Sequence, residues 1–118
     1  MAVLIFLTAL PISFGDEERD GFVVTFFDKK VKVLTPTKEG AEVGLSLENS
    51  TLGQLSGKVI SGTSEVIAYF TLETHGHRNI SVGAYLKKRV FVIPLNPPGQ
   101  EIELKIGRPA YEIPPSEN

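Results

Sequence analysis

The stretch AEVGLSLENS, residues 41–50, sends Ala41, Val43, Leu45 and Leu47 to one side of an extended chain and Glu42, Gly44, Ser46 and Glu48 to the other. Apolar residues at every second position are the mark of a strand with one buried and one wet face. The same alternation returns in Val66, Ala68, Phe70 and Leu72, in Ile80, Val82, Ala84 and Leu86, and in Ile102, Leu104 and Ile106. Helical spacing is nowhere sustained. Between these runs lie Asn49 to Gly53, Ser61 to Ser64, His75 to Arg78, Lys87 to Arg89 and Asn96 to Gln100, all rich in residues that tolerate turn conformations.

Further strands are expected at Phe22 to Phe27, Val31 to Thr35, Leu55 to Ile60 and Val90 to Leu95. The reading is therefore all-β: an antiparallel sandwich of about eight strands in a meander or Greek key. Val90, Phe91, Val92 and Ile93 are apolar on both faces, as for a central strand, and Pro94 is expected to close it because it has no N–H for the ladder. Residues 22–107 form the sandwich domain. The tail 108–118, with Pro109, Pro114 and Pro115, is expected to be an extended exit that cannot continue a sheet interior.

The strand-and-turn segment EVGLSLENSTLGQLSGKV and the closing strand GQEIELKIG resemble immunoglobulin-like modules of prokaryotic surface and filament proteins. The resemblance covers roughly residues 30–107 and implies an immunoglobulin-like sandwich. The antibody-type Cys and Trp landmarks are missing. What is implied is architecture, since a fold of this kind carries many functions.

A chain of 118 residues with 42% hydrophobic and 22% charged residues is long enough for one cored domain and too apolar for disorder. Its 12 basic and 14 acidic residues are interspersed and sum to −2, so there is no electropositive stripe for a phosphate backbone, and nucleic acid is not an expected partner. Lys87, Lys88 and Arg89 read as a solvated hairpin turn. With no cysteine there is no disulfide framework, thiol nucleophile or thiolate metal site. A small exported domain without disulfides points to a prokaryotic source.

The N-terminal segment 1–14 contains the apolar run Ala2, Val3, Leu4, Ile5, Phe6, Leu7, Ala9 and Leu10, followed by an acidic linker, 15–21. It is too short for an integral membrane span, which needs about 20 apolar residues. Three readings stay open. As a secretory signal remnant it has the apolar length but no basic n-region and no small-x-small site before Asp16. As a strand it needs cover on both faces. That cover would come either from its own domain or, through donor-strand complementation, from a neighbouring subunit touched by Val3, Leu4, Ile5, Phe6 and Leu7.

Two sequons, Asn49-Ser50-Thr51 in a turn and Asn79-Ile80-Ser81 at a strand start, are both expected at the surface and mark Asn49 and Asn79 as glycosylation candidates. Glu73, His75 and His77 would share a face if a strand ran through them, and are the candidate ligands for a transition metal. Gly76 favours a turn there instead. No cofactor is implied. No P-loop, nucleophile elbow or framed carboxylate pair is present, so the protein is not expected to be an enzyme.

The expected function is that of an extracellular or cell-surface structural protein, a filament or pilus subunit that self-associates through its N-terminal strand. The alternatives are a monomeric secreted or periplasmic binding module serving another surface protein, and a histidine-dependent metal binder.

Overall fold

The computed structural model describes residues 21–38 and 40–114. The apolar N-terminal segment, with its candidate contacts Val3 to Leu7, and most of the acidic linker lie outside the described residues. Among the described residues nine strands form: β1 Gly21–Phe27, β2 Val31–Leu34, β3 Gly44–Ser50, β4 Leu55–Ser61, β5 Val66–Leu72, β6 His77–Ser81, β7 Val90–Asn96, β8 Ile102–Leu104 and β9 Tyr111–Ile113. They build two sheets, a five-stranded one in the order β6-β3-β1-β2-β9 and a four-stranded one in the order β5-β4-β7-β8. The chain is an all-β sandwich dominated by antiparallel pairing.

Burial follows most of the alternation read from the sequence, although in β5 Val66 is exposed and only Phe70 and Leu72 are fully buried. Phe22, Val24 and Phe26 of β1 and Leu45 and Leu47 of β3 face Val59 of β4, Phe70 and Leu72 of β5, and Val90 and Val92 of β7 across one continuous core. Phe26 and Phe70 meet across the sheets with ring centroids 6.5 Å apart. Gly57 makes room for this contact, because a Cβ there would lie 2.7 Å from Phe70 Cζ. Ala41 is exposed ahead of β3, in a turn closed by Val43 N–H donating to Gly40 O at 3.1 Å.

One ladder is parallel, and the path of the chain explains it. The β1–β2 hairpin turns at Asp28–Lys30, and the connection after β2 stays at the end of the sandwich where β2 finishes. β3 therefore starts beside Gly21, on the far side of β1 from β2, and runs in the direction of β1 with Gly21 opposite Gly44 and Phe27 opposite Ser50. We call the end at Gly21 the proximal pole and the end at Phe27 the distal pole.

Three expectations need correction. The alternation Ile80, Val82, Ala84, Leu86 is not one strand, because β6 stops at Ser81 and Gly83–Lys88 winds into a 3₁₀ helix. Val82 and Gly83 N–H groups both donate to Val43 O, and this close approach is open only to glycine, since a Cβ at Gly83 would lie 2.5 Å from Ala41 O. Ala84 then faces solvent while Tyr85 and Leu86 pack on the core. The Lys87–Arg89 cluster consequently sits at the end of a 3₁₀ helix and not in a hairpin turn.

Pro94, secondly, does not close β7. The β4–β7 register shifts between Ser56 and Gly57, with Gly57 opposite Pro94 and Ser56 opposite Asn96, so the strand passes its missing donor through a bulge and continues to Asn96. Thirdly, the tail does more than leave: Tyr111–Ile113 adds β9 antiparallel to β2 at a sheet edge, the position open to a proline-flanked strand. Thr35 Oγ1 donates to Arg108 O, and Gly107 N–H donates to Pro36 O at 2.7 Å, tying this return to the start of the connection. No helix among the described residues is long and apolar enough to cross a membrane.

Candidate functional site

Strand directions put four connections at the distal pole: the β1–β2 turn, the β3–β4 turn, the β5–β6 turn and the β7–β8 loop. β9 also ends there, since Ile113 pairs with Val31. The β1–β2, β3–β4 and β7–β8 connections and the end of β9 enclose a largely apolar cleft of about 310 Å³. That volume is at the low end of the range for binding pockets, roughly 300–1,000 Å³.

One wall of the cleft comes from Phe26, Phe27, Val31 and Ile113, and the other from Leu55 and Pro94. Pro97, Pro98 and Pro114 complete the rim. The prolines themselves have no N–H and offer hydrocarbon and carbonyl oxygen, while Lys30, Thr51, Gln54 and Gln100 add polar groups to the lining. Lys30 bridges the mouth: its ammonium is 3.1 Å from Glu112 Oε2 and 5.7 Å from the centroid of Phe27.

The same pole exposes three of the large apolar side chains that face solvent. Phe27, at 37%, ends β1; Leu52, at 89%, tips the β3–β4 turn; and Leu95, at 48%, is the residue skipped by the β7 bulge. Leu52 is held there by its own N–H donating to Asp28 Oδ1 at 3.1 Å. Phe27 lines the cleft itself, and Leu52 and Leu95 stand next in sequence to its lining residues Thr51, Gly53 and Pro94.

Asn49 organises the turn beneath it, and this overturns the expected exposure of the first sequon. Asn49 is 1% exposed. Its Nδ2 donates to Gly53 O, Leu72 O and Glu73 O at 2.9, 3.0 and 3.1 Å, and its Oδ1 accepts from Thr51 N–H at 2.9 Å and Thr51 Oγ1 at 2.7 Å. The nitrogen to which a glycan would attach is thus buried and engaged. Turned inward, the amide joins two turns: Glu73 O also accepts from Gly76 N–H and Gly53 O from Thr51 Oγ1, so Asn49 supplements the bonds of each turn and links one to the other. Asn79, in contrast, is exposed on the edge strand β6, opposite Ser46.

Glu73, His75 and His77 are separated by the β5–β6 turn, in which Gly76 N–H donates to Glu73 O at 2.8 Å and His75 has a positive φ of 67°. The turn breaks the alternation that would have put them on one face. Glu73 accepts from Gln54 Nε2 at 2.6 Å, while His77 opens β6 opposite Glu48. Among the described residues no three His, Cys, Asp or Glu side chains come together to hold a metal ion.

The cleft was not anticipated from sequence. Its two available signals were a leucine at the centre of the polar turn Asn49–Gly53 and the spacing of Pro94, Pro97 and Pro98 around Leu95 and Asn96. Comparison with protein-family models, curated proteins and solved structures returned no match.

Proposed function

We propose that this chain is a non-enzymatic, immunoglobulin-like module of the extracellular or cell-surface environment, and that it works as a structural subunit joined to further copies in a filament through its apolar N-terminal segment. The observation that carries the reading is the gathering of Phe27, Leu52 and Leu95 around an apolar cleft at one pole. Residues Val3 to Leu7 supply five large apolar side chains that also need cover. At roughly 1.5 kcal/mol each, burying them would stabilise a joint by on the order of 7 kcal/mol before ordering costs.

The core closes between its own two sheets, so the segment is read as docking on a finished sandwich and not as the missing strand of an open one. Asn79 fits the surface setting as a glycan acceptor. Sedimentation velocity tests the proposal: the intact chain forms concentration-dependent multimers and a variant lacking residues 1–14 stays monomeric. Equal assembly of the two would overturn it.

The completeness of the core also favours a second reading, a monomeric secreted or periplasmic module whose cleft takes an apolar segment of another surface protein. An intact protein that remains monomeric at high concentration, with its first residues removed as judged by mass spectrometry, selects that reading.

A further inference from the structure

We infer that the distal cleft is the receptor for Val3–Leu7 of a neighbouring copy, so that subunits join head to tail. This rests on the assembly reading above and gives it a site and a polarity. β1 begins at the proximal pole and carries the chain to the cleft, a span of about 20 Å for its seven residues. Whatever precedes Gly21 therefore departs from the pole opposite the cleft. A copy stacked with its cleft towards that pole meets the segment directly, whereas a chain filling its own cleft must double back along the whole sandwich.

The chemistry selects the occupant as well. Outside the described residues, the C-terminal Pro115, Ser116, Glu117 and Asn118 offer no large apolar side chain, and the linker from Asp16 to Asp20 is charged. Of these segments, the N-terminal run is the one with large apolar side chains to set against Phe26, Phe27, Val31, Leu55 and Ile113, and an extended backbone there could also bond to Gln54 and Gln100. Donor and receptor sit on different surfaces, so the contact is heterologous, and it propagates as an open chain of subunits when the rotation between copies does not close a ring.

The absence of cysteine allows a clean test in the full-length protein. Ile5→Cys combined with Gln100→Cys at the cleft is exposed to a mild oxidant, and Ile5→Cys combined with Glu65→Cys, in the proximal turn after β4, serves as the control. A disulfide requires Cα atoms within about 7 Å, so bonding reports the docked geometry. The expected result is a ladder of covalent multimers in steps of the 12.9 kDa subunit for the cleft pair and none for the control. Adding Phe27→Glu, at an exposed strand end, should cut the multimers about tenfold, the effect of a loss near 1.4 kcal/mol.

A disulfide only within single chains, no disulfide at all, or an equal ladder from the control overturns the inference. If sedimentation still shows assembly while the cleft pair fails to bond, the filament reading stands and the docking site falls. If the intact chain does not assemble, both fall.

Discussion

The two poles of this sandwich are finished in different ways. The proximal pole is stitched by the backbone: Gly62 N–H donates to Lys88 O and Arg89 O at 2.9 and 2.8 Å, and Val82 and Gly83 both donate to Val43 O. Glycines at 21, 62 and 83 let main chains approach so closely that a Cβ would collide with a neighbouring carbonyl. The distal pole has main-chain bonds too, Asn49 N–H to Gly76 O at 2.9 Å and His75 N–H to Asn49 O at 2.7 Å, but adds side chains to them. Prolines replace donors, a bulge pushes Leu95 outward, and one asparagine amide holds the turns. The difference teaches that a sandwich end can be closed by polar pairing or left apolar for a partner, and that the choice is written in Gly against Pro and Leu.

The strongest way to break the contrast is to remove the polar anchor of the apolar pole. Asn49→Ala removes a donor from the Leu72, Glu73 and Gly53 carbonyls, of which Glu73 O keeps Gly76 N–H and Gly53 O keeps Thr51 Oγ1, and removes the acceptor of Thr51 N–H, at about 1–3 kcal/mol for each group left buried and unpaired. We expect a loss of about 4 kcal/mol in chemical denaturation, with Asn49→Asp at least as severe because it sets a carboxylate against carbonyl oxygens.

Gly83→Ala attacks the other pole. Its Cβ meets main chain at Ala41 and cannot be relieved by a rotamer change, so a loss of about 2–3 kcal/mol is expected in the same experiment.

Leu52→Ser and Leu95→Ser sharpen the comparison from the opposite side. Both side chains are solvent-exposed, so stability should change by no more than about 0.5 kcal/mol while sedimentation shows weakened assembly. A large fall in stability would mean that these residues serve the fold and not a partner.

The smallest effect lies on the surface of β8. The Glu103 carboxylate is held below the usual glutamate range, first by the hydrogen bond from Arg89 Nε at 2.9 Å, against the opposing effect of burial. A lowered folded pKa stabilises above the ordinary glutamate range, and this contribution is lost as pH falls through the folded value. The stability gap between the native chain and Glu103→Gln should therefore be small at neutral pH and vanish in acid, because the pair is solvent-screened.

Much of the fold was legible because period-two burial is a local property. Val43, Leu45, Leu47, Phe70, Leu72, Ile102 and Leu104 all point inward as their alternation requires. The misreadings share a different cause. Nothing within Ile80–Leu86 says that Val43 O will capture two successive N–H groups and bend the chain, and nothing near Pro94 says that β4 will slip register to accommodate it. Asn49 looked like a surface acceptor because its sequon is defined by the next two residues, whereas its fate is set by carbonyls 23 and 24 positions away. The distal cleft escaped notice because it is assembled from three connections and the end of β9, which only the topology brings together.

The parallel pairing of β1 with β3 also bears on mechanical load. The described chain starts at one pole and finishes at the other, and β1, paired at seven positions with β3 and at four with β2, sits at the centre of its sheet. Tension applied through the two ends pulls along β1 at one end and along the edge strand β9 at the other, so the seven- and four-position ladders of β1 and the three-position ladder of β9 are loaded in shear and not peeled one bond at a time. A string of such units would yield only when a whole ladder gives way at once, a property suited to a thread that must withstand pulling.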